Sequence, residues 1–460
     1  MAGKNLLMSS FVVLTLAAGS AFAKVPKSEA DRLLPGGDLT AFGGQIKGNA
    51  DGSIPAYTGG MQEKDIPASY KGDRQPHPNP FPDDRPLFRI TAQNVDQYAD
   101  KLSPGQIGLF KAYPESFYMD VYQTRRSHSA PDWVNKNTYN NALSGELIEG
   151  GNGIANVYGG IPFPIANNGL EMFWNHVTRW RGVVLNLESS TATVQRNGLY
   201  SLVSIRTEVD FTFNHPEESF ESLNNRLFYF LSMVEQPARL AGAAVLVHET
   251  LDQNKEPRQA WTYNVGQRRV RRAPNIAYDT SVGNSDGIQI VDEVDMLNGS
   301  PSRFNWKSLG KKEMFIPYNN YKLDDPSLKY DDIIVQHHTN PAYPRYELHR
   351  VHVLQADLKD DSRHVYSKRF FFIDEDSWGI HAADAYDGEG NLWRTSMQYS
   401  KNFYELKATL SAMTVFHDLQ TQRYRAVGLE NEKGLVSDYL APRPNASRYK
   451  PASLRRIGRR

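Results

Sequence analysis

At Gly182 the hydrophobic period of the chain changes, and the pattern beyond it fixes the fold class. Before that point the clearest pattern is helical: Leu170, Phe173, Trp174, Val177 and Trp180 fall at i, i+3, i+4, i+7 and i+10, which sets three large aromatics on one stripe. After it the period is two. Residues 183–194, 199–213, 243–251, 258–264, 267–272, 332–336, 346–354, 363–373, 379–386, 391–399 and 413–419 each read as a strand, eleven in all. The turns between them are short and polar, as in Arg196-Asn197-Gly198, Val265-Gly266 and Asp387-Gly388-Glu389-Gly390. Short turns join sequential hairpins, so the pattern predicts an antiparallel meander and excludes a parallel α/β sheet. Residues 217–234 fit both periods, and the spacing predicts a short helix followed by a strand.

The first part of the chain has a different character. From Pro26 to Pro86 there are nine prolines and nine glycines, which excludes a sheet core or a regular helix. Ile54, Tyr57, Ile66, Tyr70, Phe81, Leu87, Phe88 and Ile90 are spaced through it as anchors, so residues 24–90 are expected to lie as an ordered strap over a larger body. Within residues 91–182, Thr91 and Ser103-Pro104 signal short helices, the second with Ile107, Leu109 and Phe110 facing inward, and a Gly- and Asn-rich loop precedes the tryptophan helix. Residues 183–440 then form the β region. Residues 441–460 carry seven Lys or Arg, no acid and three prolines, and read as a solvated basic tail that suits an anionic lipid surface or a partner.

Lys4, the apolar run from Leu6 to Ala18 and Ala21-Phe22-Ala23 have the layout of a signal peptide cleaved after Ala23. The run is too short for the ~20 residues of a membrane span. A periplasmic protein is the expectation. The chain has no cysteine, which excludes disulfides, thiol catalysis, Cys-ligated zinc and attachment of lipid to a thiol. Its 52 basic and 52 acidic residues balance, and nucleic acid is not an expected partner. Its 21 Phe, 7 Trp and 24 Tyr supply a folded core and more.

Chemistry is sparse. No nucleophile elbow, zinc helix, Walker loop or dinucleotide fingerprint is present, and the glycines at 150, 151 and 153 do not fit the last of these. His337-His338, and His349 with His352, lie on opposite faces of their strands, so neither pair chelates alone. His381 with Asp384 and Asp387 is a mixed cluster near a turn, read as surface decoration. Asp324-Asp325, Asp331-Asp332 and Asp374-Glu375-Asp376 fall in predicted turns, where paired acids are expected to be solvated. No enzyme, cofactor or metal is therefore expected.

Several strings carry a family resemblance: Gly48-Asn49-Ala50-Asp51-Gly52-Ser53-Ile54-Pro55, Asn94-Val95-Asp96-Gln97-Tyr98, Glu149-Gly150-Gly151-Asn152-Gly153, Gly160-Ile161-Pro162-Phe163-Pro164, Trp174-Asn175-His176, Pro237-Ala238-Arg239-Leu240-Ala241-Gly242 and Arg258-Gln259-Ala260-Trp261 through Pro274. Over essentially the whole length after residue 23 the chain resembles the domain of unknown function 1329 family, whose members are often labelled outer-membrane lipoprotein-sorting protein. The resemblance implies a Lol-carrier-like fold: a mainly β (α+β) incomplete antiparallel barrel around a helical lid, with a hydrophobic cavity. It also implies association with envelope exporters of the resistance-nodulation-division class.

The reading is a periplasmic carrier or chaperone for a hydrophobic or acyl ligand. Trp174, Trp180, Trp261, Tyr263, Phe371 and Trp393 are the candidate walls, and Arg269 or Arg271 the candidate head-group contact. The alternative is a non-enzymatic docking subunit of such a transporter, with peripheral membrane contact through its basic segments. A hydrolase built on scattered His and Asp residues has the least support.

Overall fold

The computed structural model describes residues 24–458 apart from residues 73, 275, 277, 435 and 436. The proposed signal peptide, residues 1–23, lies outside the described residues. Fifteen strands make one large sheet: β1 Phe88–Ile90, β2 Met119–Tyr122, β3 Val184–Val194, β4 Tyr200–Asp210, β5 Arg226–Gln236, β6 Ala244–Thr250, β7 Gln259–Asn264, β8 Arg269–Arg272, β9 Phe304–Pro317, β10 Tyr346–Leu358, β11 Lys368–Asp374, β12 Ile380–Tyr386, β13 Leu392–Phe403, β14 Ala408–Asp418 and β15 Arg423–Leu429. Among the described residues, four α-helices of seven residues or more accompany it: α1 Pro104–Ala112, α2 Asp132–Ser144, α3 Gly169–Thr178 and α4 Pro451–Ile457.

Two antiparallel meanders, β3 to β8 and β9 to β15, join where β15 pairs with β3, Tyr424 opposite Val194. The sheet is a mostly antiparallel, open, curled surface. Among the described residues β8 pairs only with β7, and β9 only with β10, so the barrel stays unclosed. The short β2 adds in parallel to β10 at Val121 and Tyr346.

Both faces are covered, and alternation along the strands divides them. On β11, Phe371 and Ile373 face the cluster around α3, while Phe372 faces the cluster around Leu109 and Phe110 of α1. The capping box that starts α1 is complete: Ser103 Oγ accepts from Gln106 N, and Gln106 Oε1 accepts from Ser103 N.

Where the structure departs from the sequence reading, local chemistry explains it. Residues 332–336 are not a strand. Asp332 accepts a hydrogen bond from Lys329 N and holds a helical turn, Tyr330–Ile333. Residues 217–225 form turns instead of a helix, fixed by Ser219 and Ser222, and β5 begins at Arg226. The strand β9 escapes the pattern because Lys307, Lys311 and Lys312 interrupt it and Gly310, at φ +86°, sits in a bulge; lysines on an edge strand deter pairing with other chains. The carboxy-terminal segment is not a bare tail, since Tyr449 and Leu454 are buried with Tyr263 and Leu246 beneath α4.

The Pro/Gly-rich segment is fastened to the sheet by polar groups. Gln45 N donates to Glu375, Asn49 Nδ2 to Glu313, Trp378 Nε1 to Phe42 O, and Arg350 Nη2 to Lys47 O. At Gly43, φ +89°, a Cβ would fall 1.7 Å from Pro164 O, so only glycine fits.

Candidate functional site: a helix-filled interior with an arginine fork

The helix α3 starts at Asn168, whose side chain accepts from Glu171 N at 3.0 Å. It approaches β9 so closely that a Cβ on Gly169 would lie 2.6 Å from the Trp306 carbonyl carbon. From Phe173 onward its stripe is buried. Met172, Phe173, Trp174 and Val177 share one buried cluster with Leu185 of β3, Val209 of β4 and Leu227 of β5, and with Phe304 of β9, Leu354 of β10 and Phe371 of β11. Strands from both meanders therefore meet on one helix. Trp174 Nε1 donates to Gly151 O at 3.0 Å and Trp180 Nε1 to Leu406 O at 2.9 Å, so each indole is anchored as well as packed. Trp306 bridges Phe173 (4.9 Å between centroids) and Phe371 (6.0 Å).

Of the candidate wall residues, the structure brings Trp174, Trp180 and Phe371 into this one cluster. Trp261 and Tyr263 lie elsewhere, under α4, and Trp393 packs on Tyr366 with Arg394 over its ring. Arg269 and Arg271 are exposed on the free edge β8, far along the sheet from α3. Clefts of about 260 and 310 Å³ are present, but no candidate wall residue lines either.

Residues that the periodicity could not single out close the carboxy end of α3. Arg179 and Arg181 converge on one carboxylate, Asp295: Arg179 Nη2 reaches Oδ1 at 2.7 Å and Arg181 Nη1 reaches Oδ2. Each guanidinium also donates to a terminal carbonyl of the helix, Arg179 to His176 O at 2.7 Å and Arg181 to Val177 O at 2.6 Å. Arg181 lies 4.4 Å over the Phe211 ring, at the border of the apolar cluster. Burial alone would raise the Asp295 carboxyl, but the two arginines hold it well below the carboxylate range. Burial, opposed by Asp295, brings Arg181 down to about 10, and burial with Arg179 nearby brings His176 down to about 3, leaving it neutral.

The acids expected to decorate a turn behave otherwise. Asp374, Glu375 and Asp376 are buried, against the sequence expectation, because the sheet and the segment after β2 supply cations to match them. Arg126 holds both oxygens of Asp376, and Arg350 and Lys311 hold Glu375. His349 lies between Glu347, at 3.2 Å, and Asp374, at 3.5 Å. Burial would lower its pKa, but the two carboxylates lift it to about 9.

Donor atoms of His349, Asp374 and Asp376 lie within 4.8 Å of one another, the spacing of a metal site. The donor set does not fit a metal. Asp376 is occupied by Arg126, Asp374 Oδ2 accepts from Ser377 N and Oγ, and His349 carries a proton. His381, Asp384 and Asp387 do not cluster: His381 bonds Pro317 O, Asp384 accepts from Gly105 N at the start of α1, and Asp387 sits in an exposed turn.

A family model described as "Protein of unknown function (DUF1329)" matches residues 89–455. The chain belongs to the DUF1329 family. It is 46% identical over 455 residues to an uncharacterized protein of Pseudomonas aeruginosa, covering 99% of each. Among solved structures it is similar to a putative outer membrane lipoprotein-sorting protein domain from Vibrio parahaemolyticus (14% identity, TM-score 0.43, 62% of this chain and 98% of that one). It is also similar to a DUF1329 family protein from Desulfovibrio piger (12%, 0.41, 59% and 92%) and a LolA superfamily protein from Nitrosomonas europaea (13%, 0.35, 57% and 91%). No helix among the described residues of this DUF1329 member is long and apolar enough to cross a membrane.

Proposed function

We propose that this DUF1329 protein carries an amphiphile with a long apolar tail across an aqueous compartment outside the cytoplasm, after removal of residues 1–23, and that the tail occupies the interior now filled by α3. One observation carries the reading: strands of both meanders of an unclosed sheet pack into one buried cluster with a single aromatic helix. A ladder of backbone hydrogen bonds would fix the interior permanently. A helical plug held by side chains can leave and return. Trp174, Trp180 and Phe371 are then surfaces exchanged between α3 and the ligand.

The energetic need is plain. Each buried methylene is worth about 0.8 kcal/mol, so a chain of some 14 carbons loses on the order of 11 kcal/mol on entering water. A carrier removes that barrier through shape and apolar surface, and this reading needs neither a reaction nor a cofactor. Native mass spectrometry of the purified protein, with uptake of the apolar dye N-phenyl-1-naphthylamine, tests it. An acyl-bearing adduct or saturable dye binding is expected. A protein that emerges empty and takes up no dye overturns the proposal.

A second reading, docking to an envelope transporter of the resistance-nodulation-division class or to an anionic membrane, is favoured by the β8 edge. Arg268, Arg269, Arg271 and Arg272 are exposed there beside Arg455 and Arg456 of α4, with no ion pair among the described residues. An acidic strand adding to this edge would satisfy both charge and backbone. Crosslinking from a cysteine placed at Gln267, in a chain that otherwise has none, should capture a membrane partner in cells. Capture that is unchanged when these arginines become serine counts against docking there.

A further inference from the structure

We infer that the Arg179–Arg181 fork is the head-group site for an anionic amphiphile, a carboxylate or phosphate monoester, and that Asp295 is an internal stand-in for that head group. The inference rests on the carriage reading and names the ligand class.

Three observations converge. The first is charge. Two guanidinium groups, their side chains 3% and 12% exposed, share one carboxylate, and the neighbouring His176 is neutral. The next acids in the same loop are committed elsewhere: Asp292 to His364 and Arg369, and Glu293 to Tyr366. A surplus positive charge is thus held at the carboxy end of α3. The helix-end carbonyls of His176 and Val177 offset part of it, as helix termini do. An incoming anion would match the rest.

The second is unfilled hydrogen-bonding capacity. The Nε–H groups of both Arg179 and Arg181 are buried without a partner. A buried guanidinium with an unused donor is costly, and oxyanions of tetrahedral or planar form suit a two-arginine fork.

The third is position and backbone. Asp295 and Met296 both adopt left-handed φ, +57° and +69°, a conformation that L side chains other than Asn and Asp rarely hold. Met296, next to Asp295, is therefore held against its preference, and the Asp295 side chain is 27% exposed, the most accessible of the three. On its inner side the fork meets the apolar cluster directly, with Arg181 over Phe211 and Trp180 nearby. A head group displacing Asp295 would place its tail against the surfaces that α3 now covers.

Palmitate and hexadecanol share a tail and differ in charge, so they test the head group separately from the tail; dodecyl phosphate against dodecanol does the same for a phosphate. Binding is read by displacement of N-phenyl-1-naphthylamine below the critical micelle concentration. Wild type is expected to prefer palmitate to hexadecanol by at least about tenfold, the size of one charge-assisted contact. Arg179→Gln with Arg181→Gln should abolish the preference. Asp295→Asn should strengthen palmitate by about tenfold and leave hexadecanol unchanged. A purely structural clamp gives the opposite result, lower stability without tighter binding. Thermal unfolding of each variant confirms the fold, and Arg181→Lys, which keeps the charge but loses the planar fork and its Nε–H, should retain only part of the preference. Equal binding of the two probes, or weaker palmitate binding in Asp295→Asn, overturns the head-group site while hexadecanol uptake leaves carriage standing. Binding of neither probe overturns both.

Discussion

Replacing Arg126 by Met should cost about 3–6 kcal/mol, close to the whole stability of many domains. The figure comes from what the guanidinium holds. Its side chain is 3% exposed, and it donates to both oxygens of Asp376 (2.8 and 2.6 Å) and to Glu375 at 3.3 Å. It also donates to the carbonyls of Ile46 and Pro55 in the Pro/Gly-rich segment, at 3.3 and 3.4 Å. Removing one partner of a buried ion pair costs about 3–5 kcal/mol, because the other charge is stranded. Each long carbonyl contact adds about 0.5 kcal/mol at most. Glu375 keeps Arg350 and Lys311, so the stranded group is Asp376.

The companion change, Asp376→Asn in the Arg126→Met background, removes the stranded charge and should recover at least about 2 kcal/mol. Urea unfolding at pH 7 measures both steps, and limited proteolysis within residues 46–55 should accelerate in the single variant. A loss below about 1 kcal/mol in Arg126→Met, or no recovery in the double variant, would refute the account of a charge-locked strap.

The pH dependence of stability should be bell-shaped. His349, raised to about 9 against an ordinary value near 6.5, contributes stability that is complete below pH 6.5 and lost as pH rises through 9, by up to about 3 kcal/mol; His349→Gln should flatten that limb in chemical denaturation. On the acid side, burial holds His128 and His381 near 4 and His176 near 3. These groups are neutral in both states above pH 6.5 and contribute nothing there, but they oppose the fold as pH falls from 6.5 towards 4, so unfolding should steepen there. Trp174→Ala should destabilise by about 3–5 kcal/mol in thermal or urea unfolding while increasing dye uptake, since it opens space on the α3 face. Gly43→Ala should lower the melting temperature and loosen the strap to proteolysis, because no Cβ fits against Pro164 O.

The meander is legible because its hairpins are sequential and each of its best strands has distinct faces. Tyr200 to Asp210 and Leu392 to Phe403 are examples. Legibility fails where both faces are apolar or an edge is protected. In β5, Phe228 and Phe230 face the α3 cluster while Leu231 and Met233 face α4, so the run is apolar throughout and imitates a helix. In β9 the edge lysines hide the pattern. The aromatic stripe of α3 is readable from spacing alone, whereas the fork is not: Arg179 and Arg181 look like ordinary surface cations until a loop 114 residues away brings Asp295 to them. For the same reason Asp374-Glu375-Asp376 reads as a solvated turn. Their cations, Arg126, Lys311 and Arg350, come from three separate stretches of chain, and no local rule could pair them.

The pairing of β15 with β3 sets the order in which this molecule can be made. Its ladder joins residues near 190–194 to residues 424–429, so no partial chain ending before that point contains the junction between the two meanders. Until then each meander ends in an unpaired strand at what will become the middle of the sheet, a contact of such long range that its closure entropy must be met late. A chain emerging from its amino end therefore remains in two incomplete halves until nearly its last residues arrive. During that interval the unpaired strands of the two halves are open to pairing with other chains.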